Sequence, residues 1–130
     1  MNFMKLATLL LACTVILGAF GAHTLAAYLE PAQLKSWHTA VEYQFYHSLG
    51  LLFISIVPKA HIANARRLKL AGIFLVLGML LFSGSIYILS TRSISGISAS
   101  FLGPITPIGG LCFVAGWILC FFSLRNKAAE

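Results

Sequence analysis

Four stretches of about twenty apolar residues, separated by short polar connections, leave this chain few ways to fold. A helix rises about 1.5 Å per residue, so about 20 residues cross the roughly 30 Å hydrocarbon core of a bilayer with every peptide group bonded inside its own segment. The runs 6–28, 37–57, 70–89 and 103–124 each have that length. They do not alternate between polar and apolar positions, which excludes a membrane β-barrel. Only 9% of the 130 residues are charged and none is Asp, against about 25% charged in an ordinary soluble domain, so a soluble globule is excluded too. The expected fold is all-α, a single transmembrane domain over residues 1–130 built as an integral membrane four-helix bundle.

The first run follows Lys5 and reads either as a signal peptide or as a retained anchor; its length favours retention. Pro58 is expected to stop the second span. Cytoplasmic flanks of membrane spans retain Lys and Arg. Lys5, Lys59, Arg66, Arg67, Lys69, Arg125 and Lys127 fall on one side, Lys35 and Arg92 on the other, so both termini are expected to be cytoplasmic. The formal net charge of +6 therefore describes topology rather than nucleic-acid binding, because the basic residues sit between apolar segments and are not interleaved with exposed aromatics.

Counting rise from the cytoplasmic span ends places His23 roughly 25 Å up, Glu42 roughly 22 Å, Ser83 roughly 20 Å, Tyr87 roughly 25 Å and Gly109 roughly 22 Å, one outer layer. His47 lies nearer mid-membrane, roughly 15 Å up. With Thr106 at the start of the fourth span, His23, Glu42, His47, Ser83 and Tyr87 make the candidate polar site. Ionisable groups at membrane depth are costly and often functional, yet near the headgroups they also reach water. Glu42 is open to both readings, and it shares a helical face with His38, four residues earlier, as a partner alternative to His23. A haem bridged by His23 and His47 would need them at one depth, which an offset of about 10 Å opposes. No cofactor is expected.

Gly18, Ala22 and Ala26 recur at four-residue spacing on the first helix, as do Cys112, Gly116 and Cys120 on the fourth. Small residues let helices approach closely where lipid supplies no hydrophobic drive, so both sets are expected to be packing faces. Cys13, Cys112 and Cys120 lie inside apolar runs, odd in number and without converging ligands, and no metal site is expected. Gly103-Pro104-Ile105-Thr106-Pro107-Ile108-Gly109-Gly110 reads as a shaped helix start; its glycines match no phosphate-loop spacing.

Taken together, Gly18-Ala19-Phe20-Gly21-Ala22-His23, Thr39-Ala40-Val41-Glu42-Tyr43-Gln44 with His47, Phe82-Ser83-Gly84-Ser85-Ile86-Tyr87, and Ile105-Thr106-Pro107-Ile108-Gly109-Gly110 ahead of Ala115-Gly116-Trp117 resemble the YgdD-type domain-of-unknown-function family of small multipass membrane proteins. The resemblance covers almost the whole chain. It departs from the pattern at Thr24, where Gly is expected, and at Trp37-His38. It implies a four-helix, multi-pass protein of the bacterial inner membrane whose first helix is retained, and it implies no activity, substrate or cofactor.

No Ser/His/Asp set or carboxylate pair is present, so an enzyme is not expected. The preferred class is a structural or accessory membrane protein that binds partners. The alternative is a small-solute, ion or proton transporter or channel component using the polar outer-half site, for which four spans would require self-association. The partners expected are the lipid bilayer and either further copies of the chain or another membrane protein.

Overall fold

A computed structural model describes residues 2–57 and 64–124. They form α1 (Phe3–His23) with a 3₁₀ turn at Leu25–Ala27, α2 (Pro31–Ile56), α3 (Ala65–Gly78), a π-helical turn at Met79–Ser83, α4 (Gly84–Ser90), the short α5 (Arg92–Ser95), a 3₁₀ turn at Ser100–Leu102, and α6 (Ile105–Ser123). Pro58, Lys59, Arg125 and Lys127, on which part of the topology expectation rests, lie outside the described residues.

Three helical runs, Phe3–Ala27, Ala65–Ser90 and Ser100–Ser123, are long and apolar enough to cross a membrane. α2 has 26 residues but carries a polar first half and falls short of the others in apolarity. It begins at Pro31, six residues before the expected start at Trp37. Proline suits the first helical position because its ring presets φ and its missing N–H would be unpaired there anyway, and Gln33 Oε1 accepts the Glu30 N–H at 3.1 Å. Asn2 and Asn64 cap α1 and α3 by accepting from the N–H of Lys5 and Arg67, at 3.2 and 3.1 Å.

The third rod is continuous from Ala65 to Ser90, and the π turn within it lies outside what apolar periodicity reveals. α3 packs chiefly on α6, and α1 on α2. Leu51, Ile54, Leu68, Ala71, Leu75 and Phe113 belong to the main core. A smaller cluster of Leu25, Leu29 and Trp37 closes the other end of the α1–α2 pair. Gly109 sits against the π turn so closely that a Cβ there would overlap the backbone of Leu81 and Phe82. Such contact between backbones is how helices gain dispersion energy in lipid.

At the basic end, Arg67 Nη1 donates to the Phe122 carbonyl at 2.9 Å and the Asn64 N–H to the Ser123 carbonyl at 2.8 Å. Both satisfy carbonyls that the last turn of α6 would leave open, and the guanidinium meets the negative end of the helix dipole.

Candidate functional site

The polar side chains buried between α1, α2 and α4 form a chain of hydrogen bonds. Tyr87 OH donates to Gln44 Oε1 at 3.0 Å, and Gln44 Nε2 donates to the Leu10 carbonyl at 3.2 Å. Thr14 Oγ1 donates to that same carbonyl at 2.8 Å. Two turns nearer the start of α2 the Trp37 ring lies 4.7 Å from that of Tyr87, and its Nε1 donates to the Leu17 carbonyl at 3.0 Å. Gln44 is 6% exposed, so each of these bonds spares a buried polar group a desolvation cost of about 1–3 kcal/mol.

Of the expected site residues, Tyr87 alone enters this network. His47 is buried, stacked on Phe113 with ring centroids 3.4 Å apart and planes 14° from parallel. Its Nδ1 lies 2.7 Å from the Tyr43 carbonyl, which can only accept, so the proton is on Nδ1. Ser83 is fully buried in the π turn, and its hydroxyl has no partner among the described residues. Thr106 Oγ1 lies 2.7 Å from Ser85 Oγ, tying α6 to α4.

His23 and Glu42 are both exposed and are not brought together. A Cβ on Gly18 would meet only Val41 Cγ1, at 3.6 Å, which sets those two residues level. His23 is five residues beyond Gly18 toward the end of α1 and Glu42 one residue beyond Val41 in the opposite direction, a difference in level of about 9 Å. The register causes this: with Gly18 beside Val41, Val57 falls level with Asn2 rather than Leu6, and the C-terminal end of α1 lies beside the first turns of α2 rather than beside Glu42.

The small-residue faces divide similarly. Gly116 and Cys120 are buried and Cys112 half-buried, and a Cβ on Gly116 would stand 2.8 Å from Leu75 Cδ2. On α1, Gly18 is half-buried and Ala22 and Ala26 are exposed; the residues that are buried are Ala7, Thr14 and Gly21, at seven-residue spacing. That heptad of small residues was the available signal. Gln44 and Trp37 carry no comparable sign, since one interior amide is indistinguishable from a solvated one until its facing helix is known.

A cavity of about 590 Å³ opens between the start of α2, the end of α4 and the start of α6. Gln33, Ser36 and Thr39 line it from α2, Ser90 and Arg92 from the end of the third rod, and Ser100 and Thr106 from the approach to α6 and its first turn. Thr106 is the one expected site residue on its wall. Among the described residues Arg92 is the only charged one in the lining, and it is exposed. Ser36 and Thr39 donate to the carbonyls of Ala32 and Lys35 in their own helix, so their oxygens face a ligand as acceptors. Among the described residues no three His, Cys, Asp or Glu side chains converge to hold a metal ion.

Residues 17–110 match the family model described as protein of unknown function, DUF423. The chain is 42% identical over 121 residues to the UPF0382 membrane protein SH2409 of Staphylococcus haemolyticus, covering 93% of each chain. It is 42% identical over 103 residues to the UPF0382 membrane protein YwdK of Bacillus subtilis, 79% of each. Against the UPF0382 inner membrane protein YgdD of Escherichia coli it is 36% identical over 109 residues, 81% of this chain and 75% of that one. No solved structure matches. With the matched segment running from the middle of α1 to the start of α6, the chain is a membrane protein and belongs to the DUF423 family, together with these UPF0382 relatives.

Proposed function

We propose that this protein is a non-enzymatic accessory protein of the bacterial inner membrane, which crosses the bilayer four times with both termini cytoplasmic and recognises a polar group in its one-sided outer cavity. The observation that carries this reading is the contrast between an open cavity, whose largely apolar wall carries a few hydroxyl, amide and guanidinium side chains, and the filled packing that lies inward of it. Thr106 on the cavity wall is bound to Ser85, the next turn of α6 rests on the backbone of Phe82 at Gly109, and the turn after that places Phe113 against His47. Tyr43 stacks on Phe82 with centroids 4.6 Å apart. A pocket with a few polar side chains above a filled waist suits recognition rather than conduction, which needs a continuous polar path. Assignment to the inner membrane is supported by the Escherichia coli relative, which is named an inner membrane protein. Crossing by α2 is supported by its 26 residues, about 39 Å at 1.5 Å per residue.

The test is reconstitution of the purified protein in liposomes, with passive flux of protons, alkali cations and small polyols measured over a range of protein densities. The expected result is flux equal to that of empty vesicles throughout. A flux rising with protein density would overturn the accessory reading in favour of an oligomeric conduit.

A further inference from the structure

The cavity presents hydrogen-bond donors that have no acceptor among the described residues. Ser90, in the last turn of α4, lines it while being 3% exposed, and its hydroxyl has no partner among the described residues. Arg92 stands two residues further on, and no carboxylate joins it in the lining. Gly103 and Thr106 bring the start of α6 to the same cavity, and no side chain caps that 19-residue helix. Pro104 and Pro107 carry no N–H, so of the orphan donors at this helix start only those of Ile105 and Thr106 remain, at the positive end of the helix dipole, and of the two Thr106 lines the cavity.

A guanidinium, a dry hydroxyl and the helix-start N–H of Thr106 together call for a ligand with several anionic oxygens. Across the cavity, Ser36 and Thr39 have already donated to their own helix and offer acceptors to a ligand's hydroxyls. The geometry points to a phosphate ester of a short polyol as the ligand, its phosphate held by Arg92, Ser90 and the start of α6 and its hydroxyls directed to Ser36 and Thr39. A phospholipid headgroup and a soluble polyol phosphate share this chemistry. The assignment rests on reading the cavity as a recognition site.

It is tested on the full chain without its native thiols, carrying Ser100→Cys at the cavity mouth, in maltoside detergent. The rate of labelling by a water-soluble maleimide is measured alone and with glycerol phosphate or phosphatidylglycerol, against glycerol and an uncharged glycosyl diacylglycerol as controls. Labelling should slow about fivefold at a ligand concentration about four times Kd, because the unoccupied fraction falls in proportion to one plus that ratio. Slowing by glycerol phosphate identifies a soluble ligand and slowing by the lipid alone a headgroup; neither control should slow labelling. Arg92→Gln and Ser90→Ala should each weaken the protection, Arg92→Lys should retain part of it, and Arg66→Gln at the opposite end should leave it intact. Equal rates with and without both phosphate ligands, or protection that persists in the Arg92→Gln, Ser90→Ala double variant, would overturn the phosphate assignment alone. A cysteine that fails to react even without ligand would show the cavity closed and remove the recognition reading as well.

Discussion

Tyr87 and Gln44, 43 positions apart in the chain, meet in the interior through a 3.0 Å hydrogen bond from the phenol to the amide oxygen. Through Gln44 Nε2 and the Leu10 carbonyl the bond ties α4 to α1 across α2. Tyr87→Phe keeps the ring against Trp37 and leaves the amide oxygen unpaired, so it should cost about 1–2 kcal/mol, while Gln44→Leu removes both bonds and should cost more. The two losses should not add: with Gln44 already Leu, Tyr87→Phe should be nearly neutral. Thermal unfolding of the four proteins in nanodiscs measures this, and additive losses would show that the bond contributes nothing.

His23 and Glu42 should behave as independent residues. At levels about 9 Å apart and both exposed, their substitution by Gln should give stability changes that add within about 0.5 kcal/mol. A larger coupling in the His23→Gln, Glu42→Gln cycle would contradict the α1–α2 register.

Two glycines should respond in opposite directions to the same methyl group. Gly109→Ala drives a Cβ into the backbone of Leu81 and Phe82, which cannot rotate away, and should destabilise by about 1–3 kcal/mol. Gly18→Ala meets Val41 at an ordinary 3.6 Å and gains helix propensity, so it should be neutral or stabilising by up to about 1 kcal/mol. Aggregation temperature in detergent ranks them, and equal effects would refute the backbone contact at the π turn.

Two turns further along α6, where it packs on α3, Gly116→Leu should harm the protein more than Leu119→Ala. The added side chain must start 2.8 Å from Leu75 and 3.2 Å from the Ala71 carbonyl, whereas Leu119 is only partly buried and leaves a shallow gap. Yield of monodisperse protein after gel filtration is the readout, and equal yields would remove Gly116 from the interface.

Four crossings with cytoplasmic termini predict that Ser95→Cys, in a background without native thiols, reacts with an impermeant maleimide added outside intact cells and that Ala65→Cys does not. Labelling of Ala65→Cys alone would invert the topology.

The all-helical fold, the three most apolar helices and the family were legible without coordinates, because each depends on local quantities: run length, period and the identity of neighbouring residues. Pro31 and the two asparagine caps were equally local, although span lengths counted from apolar residues alone placed the start of α2 six residues late. Depths counted from the span ends take Leu6 and Val57 as level, whereas Gly18 beside Val41 sets Val57 level with Asn2, which is why His23 seemed level with Glu42. Register between helices is fixed by which side chains interlock, Trp37 over Leu17 and Gly21 and Gln44 over Leu10, and no single helix contains that information.

The π turn at Met79–Ser83 and the cavity beside α6 belong to the tertiary structure for the same reason. Gly109 makes room for the widened turn on a helix more than 25 residues away. Ser90, Arg92, Thr39 and Thr106 look like unrelated surface positions until three helix ends leave a space between them. The sequence by itself determined that this chain enters a bilayer as helices, since burying unpaired peptide groups in hydrocarbon is prohibitively costly. Which polar groups are consumed in holding the helices together, and which remain free to face a ligand, was decided only by their packing, because a hydrogen-bond partner is a property of two segments at once.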